Sequence, residues 1–361
     1  MRIAFFGSSL VSAYWNGAAT YYRGIIRALN ERGHKVTFYE PDAYERQQHR
    51  DMEDPSWARV VVYPATAAAA ITQVDQAKRS SDLLIKASGV GVNDELLDAA
   101  IAAARSPRNL VAFWDVDAPA TLDRVQCDPA DPFRCLIPRY DVVFTYGGGD
   151  PVVSAYRALG AQRCAPIYNA LDTSTHYPVA PQRRFAAALS FLGNRLPDRE
   201  RRVEEFFLKP ATELSEQSFL LGGAGWGDKH MPSNVRYLDH VYTRDHNAFN
   251  CSARTVLNVS RESMARYGYS PATRVFEAAG AAACIITDYW EGIDHFLEPE
   301  REILVARDGN DVAAWMRRLT PERALGIGTA AYRRVLGEHT YSHRAAEVER
   351  VLAGGKALGA A

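Results

Sequence analysis

The sequence predicts an α/β protein made of two parallel-sheet domains of similar build. Three observations carry that reading. Short apolar runs alternate with helical periods along nearly the whole chain, and strands separated by helices pair in parallel. The 361 residues exceed the usual single domain, and a length prior gives two domains that each bury a core. A polar stretch with three prolines, PIYNALDTSTHYPVAPQRRF, interrupts the alternation near its middle and places the boundary at residues 172–182.

Composition narrows the function. Apolar residues make up 47% and charged residues 24%, as in a soluble globular chain rather than a disordered or membrane one. A net charge of −1, with both signs interspersed, argues against nucleic-acid binding through a basic surface but is compatible with a local cationic pocket. Cys127, Cys135, Cys164, Cys251 and Cys284 form no CxxC pair and no His/Cys ligand spacing. Neither a zinc site nor a disulfide framework is expected, and a reducing, cytoplasmic compartment fits. The histidines are scattered; His230, His240 and His246 lie too far apart in sequence to argue a metal site and read as structural. The N-terminal MRIAFFGSSLV reads as a first strand rather than a signal peptide, lacking length and a cleavage site. No apolar stretch approaches the roughly 18–20 residues of a transmembrane helix.

In the first half, residues 2–6 form a buried-strand run. GSSLVSAYWNGAATYYRGIIRALNERGH then passes from a Gly/Ser/Asn loop into a helical period through Tyr22, Ile25, Ile26 and Leu29. With a second strand at residues 35–39 this makes a strand–loop–helix–strand unit, whose first loop lies on the ligand-bearing sheet edge. Gly7, Asn16 and Gly17 are where backbone can approach a ligand, although glycines also serve a plain turn and the loop is not a GxGxxG fingerprint. Further strands fall at residues 82–87, 109–114 and 141–145, whereas residues 46–57 are polar and aperiodic and read as a surface loop. Asp115 and Asp117 follow one strand, and the glycine loop with Gly147 and Gly148 follows the next. A carboxylate there suits a general base or a ligand for sugar hydroxyls, with an N-cap or turn role as the competing reading.

The second half repeats the pattern, with strands at residues 189–192, 219–221, 255–259 and 284–287. Asn194 and Arg195 precede a helix and suit phosphate, whereas Arg199, Arg201 and Arg202 read as a solvated helical face. The strand ends SRESM and DYWEGI bring Glu262, Ser263, Trp290, Glu291 and Gly292 to the same edge. Between them, Ser270 suits an N-cap and Pro271 the first helical position, so a helix is expected from there to about Gly280. Arg274 in its first turn opposes the helix dipole, and its order relative to Glu277 is the poorer one for an ion pair. An anion in front of the helix accounts for that placement. The alternative is an exposed Arg274–Glu277 bridge contributing about 0.2–1 kcal/mol. The chain shows no Ser-His-Asp order, HExxH, Walker loop or kinase signature.

Several stretches resemble GT-B glycosyltransferases, which consist of two Rossmann-like domains facing each other across a cleft. GAATYYRGIIRALNERGHKVTFYE resembles their first loop, helix and second strand, and YNALDTSTHYP the opening of their second domain. RVFEAAGAAACIITDYWEGIDHFLEPEREILVARDGNDVAAWM resembles their donor-binding block, with Glu277 at the place of the acid that binds the nucleotide ribose. HTYSHRAAEVERVL resembles their closing helix. More narrowly, GSSLVSAYWNGAATYYRG, FWDVDAPATL, TYGGGDPV, FLGNRLPDRE and RESMARYGYSPATRVFEAAGA resemble the CgeB-like family, grouped with these enzymes. Two departures stand out. Glu262 and Glu277 are separated by the insertion MARYGYSPATRVF, so Glu262 matches the class poorly, and the usual lysine partner of Arg195 is absent, a place Arg274 can fill.

The resemblance implies an acceptor-side domain over residues 1–172, a donor domain over 173–340 and a closing helix and tail over 341–361. It implies metal-independent transfer from a nucleotide-diphosphate sugar to an acceptor hydroxyl, with no permanently bound cofactor. The ribose would lie on Glu277 and the diphosphate against Asn194, Arg195, Arg274 and the helix start at Ser270. The acceptor, saccharide, lipid or protein-linked, is not specified. The same fold also suits a sugar-nucleotide epimerase or a non-catalytic sugar-nucleotide or surface-assembly binding protein.

Overall fold

The computed structural model describes residues 1–14, 16–89 and 91–356, without the side chains of Ser263, Gly355 and Lys356. The chain divides into two compact units: residues up to Asn169 together with the C-terminal helix Tyr341–Lys356, and Ala170–Thr340.

The first unit holds seven parallel strands: β1 (Arg2–Phe6), β2 (Lys35–Asp42), β3 (Arg59–Pro64), β4 (Leu83–Ala87), β5 (Leu110–Asp115), β6 (Val142–Thr145) and β7 (Cys164–Pro166). Their order is β3-β2-β1-β4-β5-β6-β7. The second unit holds β8 (Ala187–Leu192), β9 (Phe219–Gly222), β10 (Val235–Leu238), β11 (Ala253–Asn258), β12 (Ile285–Asp288) and β13 (Leu304–Ala306), ordered β10-β9-β8-β11-β12-β13. All pairings within these sheets are parallel. In each sheet the strand order reverses beside the unit's first strand, between β1 and β4 and between β8 and β11. That reversal leaves a crevice at the carboxyl ends of the strands, where open α/β sheets bind ligands.

The four strands that sequence periodicity did not yield, β3, β7, β10 and β13, are the four edges of the two sheets. An edge strand is paired on one side only, and all but β3 are also short, so little apolar signal accumulates. Residues 46–57 also differ from a surface loop at one end, because Arg46 is fully buried. Its Nη1 donates to the Ser8 carbonyl at 3.3 Å, and Glu40, equally buried, accepts from Leu10 N at 2.7 Å and Ser9 Oγ at 3.0 Å. These two charges hold the loop after β1 from below.

The helix Ala19–Glu31 buries Tyr22, Ile25, Ile26 and Leu29 on its apolar stripe. Against it packs Tyr341–Lys356: a Cβ at Gly24 would lie 2.2 Å from the Tyr341 ring, and Glu349 receives Arg32 at 2.5 Å and His34 at 2.9 Å. In the second unit, Leu189, Phe191, Phe207, Phe219, Leu257 and Ile286 form the centre of one core cluster beneath the sheet.

Candidate functional site

The second unit concentrates charge at its switch point. Gly193 follows β8, and the helical run that begins at Pro197 carries Arg199 back over that glycine: a Cβ there would lie 3.0 Å from Arg199 Nη1. Arg199 is therefore not part of a solvated face. Burial lowers its pKa, and the positive charges of Arg274 and Arg261 lower it further. Its Nε is buried without a hydrogen-bond partner, as is Nη1 of Arg274. Arg202 also turns inward, to the fully buried Asp288 at 2.5 Å, which leaves Arg201 as the exposed arginine of the three. Asp288 closes β12 by accepting from Ser260 N at 3.0 Å, and burial raises its pKa against the pull of Arg202.

Arg274 and Glu277 stand on the helix Thr273–Gly280. It starts two residues later than the sequence reading, with Ala272 at the N-cap, because the Ser270 hydroxyl donates to the Gly268 carbonyl at 2.8 Å instead of capping. The Arg274 Nη1–Glu277 Oε2 pair forms at 3.2 Å, but with side chains only 20% and 13% exposed. It is a withdrawn pair rather than a surface bridge. Burial alone would raise the Glu277 pKa; Arg274, His176 and His246 outweigh it and hold the carboxyl below its usual range.

The insertion at residues 264–270 becomes a short helix, Glu262–Tyr267, and a clamp. Gly268 and Tyr269 take positive φ values of 69° and 43°, and Tyr269 N donates to the Glu291 carbonyl at 2.6 Å. Gly292, at φ 86°, lies under the Tyr269 ring, 2.3 Å from where a Cβ would be. Glu291 and Gly292 thus serve the loop through their backbone. Trp290 is a correction: its ring is 2% exposed and packs 5.8 Å from Phe296, so it belongs to the core. Glu262 stands exposed in the first turn of its short helix, and the Ser263 side chain lies outside the described residues.

Arg195 is a second correction. Its guanidinium reaches Glu200 at 2.7 Å and Asp228 at 2.8 Å, and Lys229 joins Glu200 at 2.9 Å. Both η nitrogens are spent on carboxylates in a partly exposed network. Asn194 uses Oδ1 to accept from Ala224 N at 3.0 Å.

In the first unit, Asp115 ends β5 fully buried and is satisfied from four sides. Oδ1 accepts from Ser88 Oγ at 2.7 Å, Asp117 N at 3.0 Å and Thr121 Oγ1 at 3.1 Å, and Oδ2 from the Tyr156 hydroxyl. This carboxylate ties the loop after β4 to the helices Ala118–Cys127 and Gly149–Ala158, which speaks against its reading as a base. Asp117 is the N-cap residue of Ala118–Cys127, but its side chain does not cap that helix. Gly148 has φ 89°, and a Cβ there would strike Val152 at 2.0 Å; with Gly147 it is buried at the start of Gly149–Ala158. Gly7 lies against Phe38, 2.7 Å from a would-be Cβ, so packing requires it. Asn16 is buried and braces its own loop, donating to the Ser9 carbonyl at 2.7 Å, while Gly17 is exposed.

Residues 199–350 match the family described as glycosyl transferase-like, a match that opens at Arg199 and spans Arg274 and Glu277. No curated protein matches the chain in sequence. Among solved structures it is similar to sucrose-phosphate synthase from Thermosynechococcus elongatus, with 14% identity over 99% of this chain and 100% of that one and a TM-score of 0.73. It is similar also to HepE of Anabaena in complex with UDP-glucose, at 13% identity, 98% and 100% coverage and a TM-score of 0.68. A third is an α-glucosyltransferase in complex with UDP and a 13-mer DNA containing an HMU base, at 14% identity, 98% and 99% coverage and a TM-score of 0.68. The chain has the GT-B fold, and its residues 199–350 are similar to the glycosyl transferase-like family.

Sequence reasoning missed two features of this site. Arg199 was hidden among like residues in RERR, where helical spacing alone does not say which arginine turns inward. Asp288 was hidden because it is both the last strand residue and a loop residue; its one signal is a carboxylate directly after the apolar run CIIT. Among the described residues no helix is long and apolar enough to cross a membrane.

Proposed function

We propose that the protein transfers a sugar from a nucleotide-diphosphate sugar to an acceptor hydroxyl, and that its second unit binds the donor. The observation that carries this is the pair Arg199 and Arg274, two guanidinium groups withdrawn from solvent: among the described residues, Arg199 has a buried Nε lacking a hydrogen-bond partner and Arg274 is held only by its ion pair with Glu277. Two like charges held together in that way are stabilised by an anion with several oxygens, and a diphosphate has them. Glu277, an acid on the same helix as Arg274, accepts ribose hydroxyls, and Asn194 contributes from the loop after β8.

Chemistry follows from charge. When the bond between the sugar and the diphosphate breaks, negative charge develops on the leaving group, and the fixed guanidinium groups stabilise it without reorganisation and without a metal in that step. The first unit takes the acceptor at its strand-end loops, with Asp117 as the base that receives the hydroxyl proton. Within the class we place the chain with the CgeB-like group on the motifs RESMARYGYSPATRVFEAAGA and FLGNRLPDRE, and in the cytoplasm. Because HepE and the α-glucosyltransferase are described with UDP or UDP-glucose, uridine diphosphate sugars are the first donors to test.

The test is a thermal-shift screen of nucleoside diphosphates and their sugars, since a ligand of the folded state alone raises Tm. A rise with one NDP-sugar, followed by release of its nucleotide on addition of an acceptor, supports the reading. No shift with any, or epimer formation in place of transfer, rejects it.

A further inference from the structure

We propose that His176, His246 and Glu277 form a binding site for one divalent transition-metal ion of the zinc type. One ligand atom from each lies within 4.8 Å of the other two. They come from three parts of the second unit: the segment after Leu171, the first turn of His246–Ser252, and the helix Thr273–Gly280.

Hydrogen bonds fix which ring nitrogen of each histidine faces the others. His246 Nε2 lies 3.3 Å from the Val241 carbonyl, which can only accept, so the Nε2 carries the proton and Nδ1 the lone pair. The Thr175 hydroxyl donates to the Asp172 carbonyl at 3.2 Å, so its oxygen accepts from His176 Nδ1 at 2.9 Å and the lone pair of that ring is on Nε2. Those two nitrogens, His246 Nδ1 and His176 Nε2, are buried and have no hydrogen-bond partner. His176 is 4% exposed, and its Nε2 lies 3.8 Å from Glu277 Oε1. Two lone pairs and a carboxylate oxygen therefore converge with no proton to share among them.

Metal-binding histidines commonly donate their other ring N–H to a carbonyl or similar acceptor, as both rings do here. Two histidines and one carboxylate are a known zinc ligand set that leaves a fourth position open. A tetrahedral ion with ligands at about 2.0–2.1 Å needs them roughly 3.3 Å apart, so binding draws these atoms together. The segment that carries His176 is already held to the helix of His246: Asn247 Nδ2 donates to the Thr175 carbonyl at 2.9 Å. Arg274 opposes the ion by charge but occupies the other carboxylate oxygen, Oε2. The ion holds the segment to both helices; it does not depend on the donor reading and shares only Glu277 with it.

The experiment titrates the chelator-treated, full-length protein with Co2+ alone and reads ligand-field absorption. One equivalent giving a four-coordinate spectrum, displaced by Zn2+, is expected. His246→Ala and His176→Gln, each checked by circular dichroism for native fold, should weaken binding by at least about tenfold. Arg274→Ala should tighten it, because a competing positive charge is removed. No stoichiometric spectrum in the wild type, or a spectrum that survives both histidine substitutions, overturns the site. Nucleotide binding, measured separately on the metal-free protein, is unaffected by either result.

Discussion

Arg199 and Arg274 act on one another through charge: burial lowers the pKa of Arg199, and the positive charge of Arg274 lowers it further. Burial would favour separating such groups or pairing each with an acid. Glu277 reaches Arg274 at 3.2 Å, while the acids nearest Arg199, Asp198 and Asp288, are engaged by Arg261 at 2.6 Å and Arg202 at 2.5 Å. The second unit thus holds more positive charge at this point than its own carboxylates neutralise, and the account of function rests on that imbalance.

Asp115 and Asp117 should separate cleanly. Asp115→Ala removes an acceptor shared by Ser88, Thr121, Tyr156 and the Asp117 amide, and leaving such groups unmet costs about 1–3 kcal/mol. A lower urea midpoint is the expected result. Asp117→Asn should leave that midpoint in place and lower turnover by about 10²–10⁴-fold, the usual loss of a general base. The reverse pattern would return the catalytic role to Asp115.

Gly292→Ala tests the clamp between residues 268–270 and 290–292. At φ 86° a non-glycine residue costs roughly 1–2 kcal/mol. The added methyl also meets the Tyr269 ring, so thermal melting should show at least that loss, together with weaker donor binding. Gly17→Ala, with nothing within 4 Å, is the neutral control.

Acid should destabilise the metal-free protein through His246. Burial and the charge of Arg274 lower its pKa to about 4, against 6.5 for the free side chain, with Glu277 pulling the other way and His176 adding to the depression. Between those values the unfolded chain binds a proton that the folded one excludes. Stability is therefore full above pH 6.5 and falls as the pH drops toward 4. Denaturation midpoints across that range should decline in the wild type and flatten in His246→Gln.

The parallel sheets were legible because apolar runs and helical periods alternate over most of the chain, and the interior strands were found at nearly their observed bounds. The edges were not, since VRYL and LVA carry too few apolar residues to signal a strand. At the site, Arg274 was legible because its place on the helix is unfavourable by itself. Its pair with Glu277 proved real, yet burial turned the meaning of that pair around. Arg195 and Trp290 misled because sequence position shows which edge a residue reaches but not whether Asp228 or Phe296 has already claimed its side chain. The grouping of His176, His246 and Glu277 spans residues 176–277, and no local spacing encodes it.

The most direct measurement is calorimetric titration of the preferred nucleoside diphosphate into the wild type and into Arg199→Ala, Arg274→Ala and Arg195→Ala. The account predicts losses of about 1.5–3 kcal/mol, roughly 10- to 150-fold in Kd, for each of the first two and little change for the third. Undiminished binding by the Arg199→Ala/Arg274→Ala double variant, or a loss confined to Arg195→Ala, would contradict it.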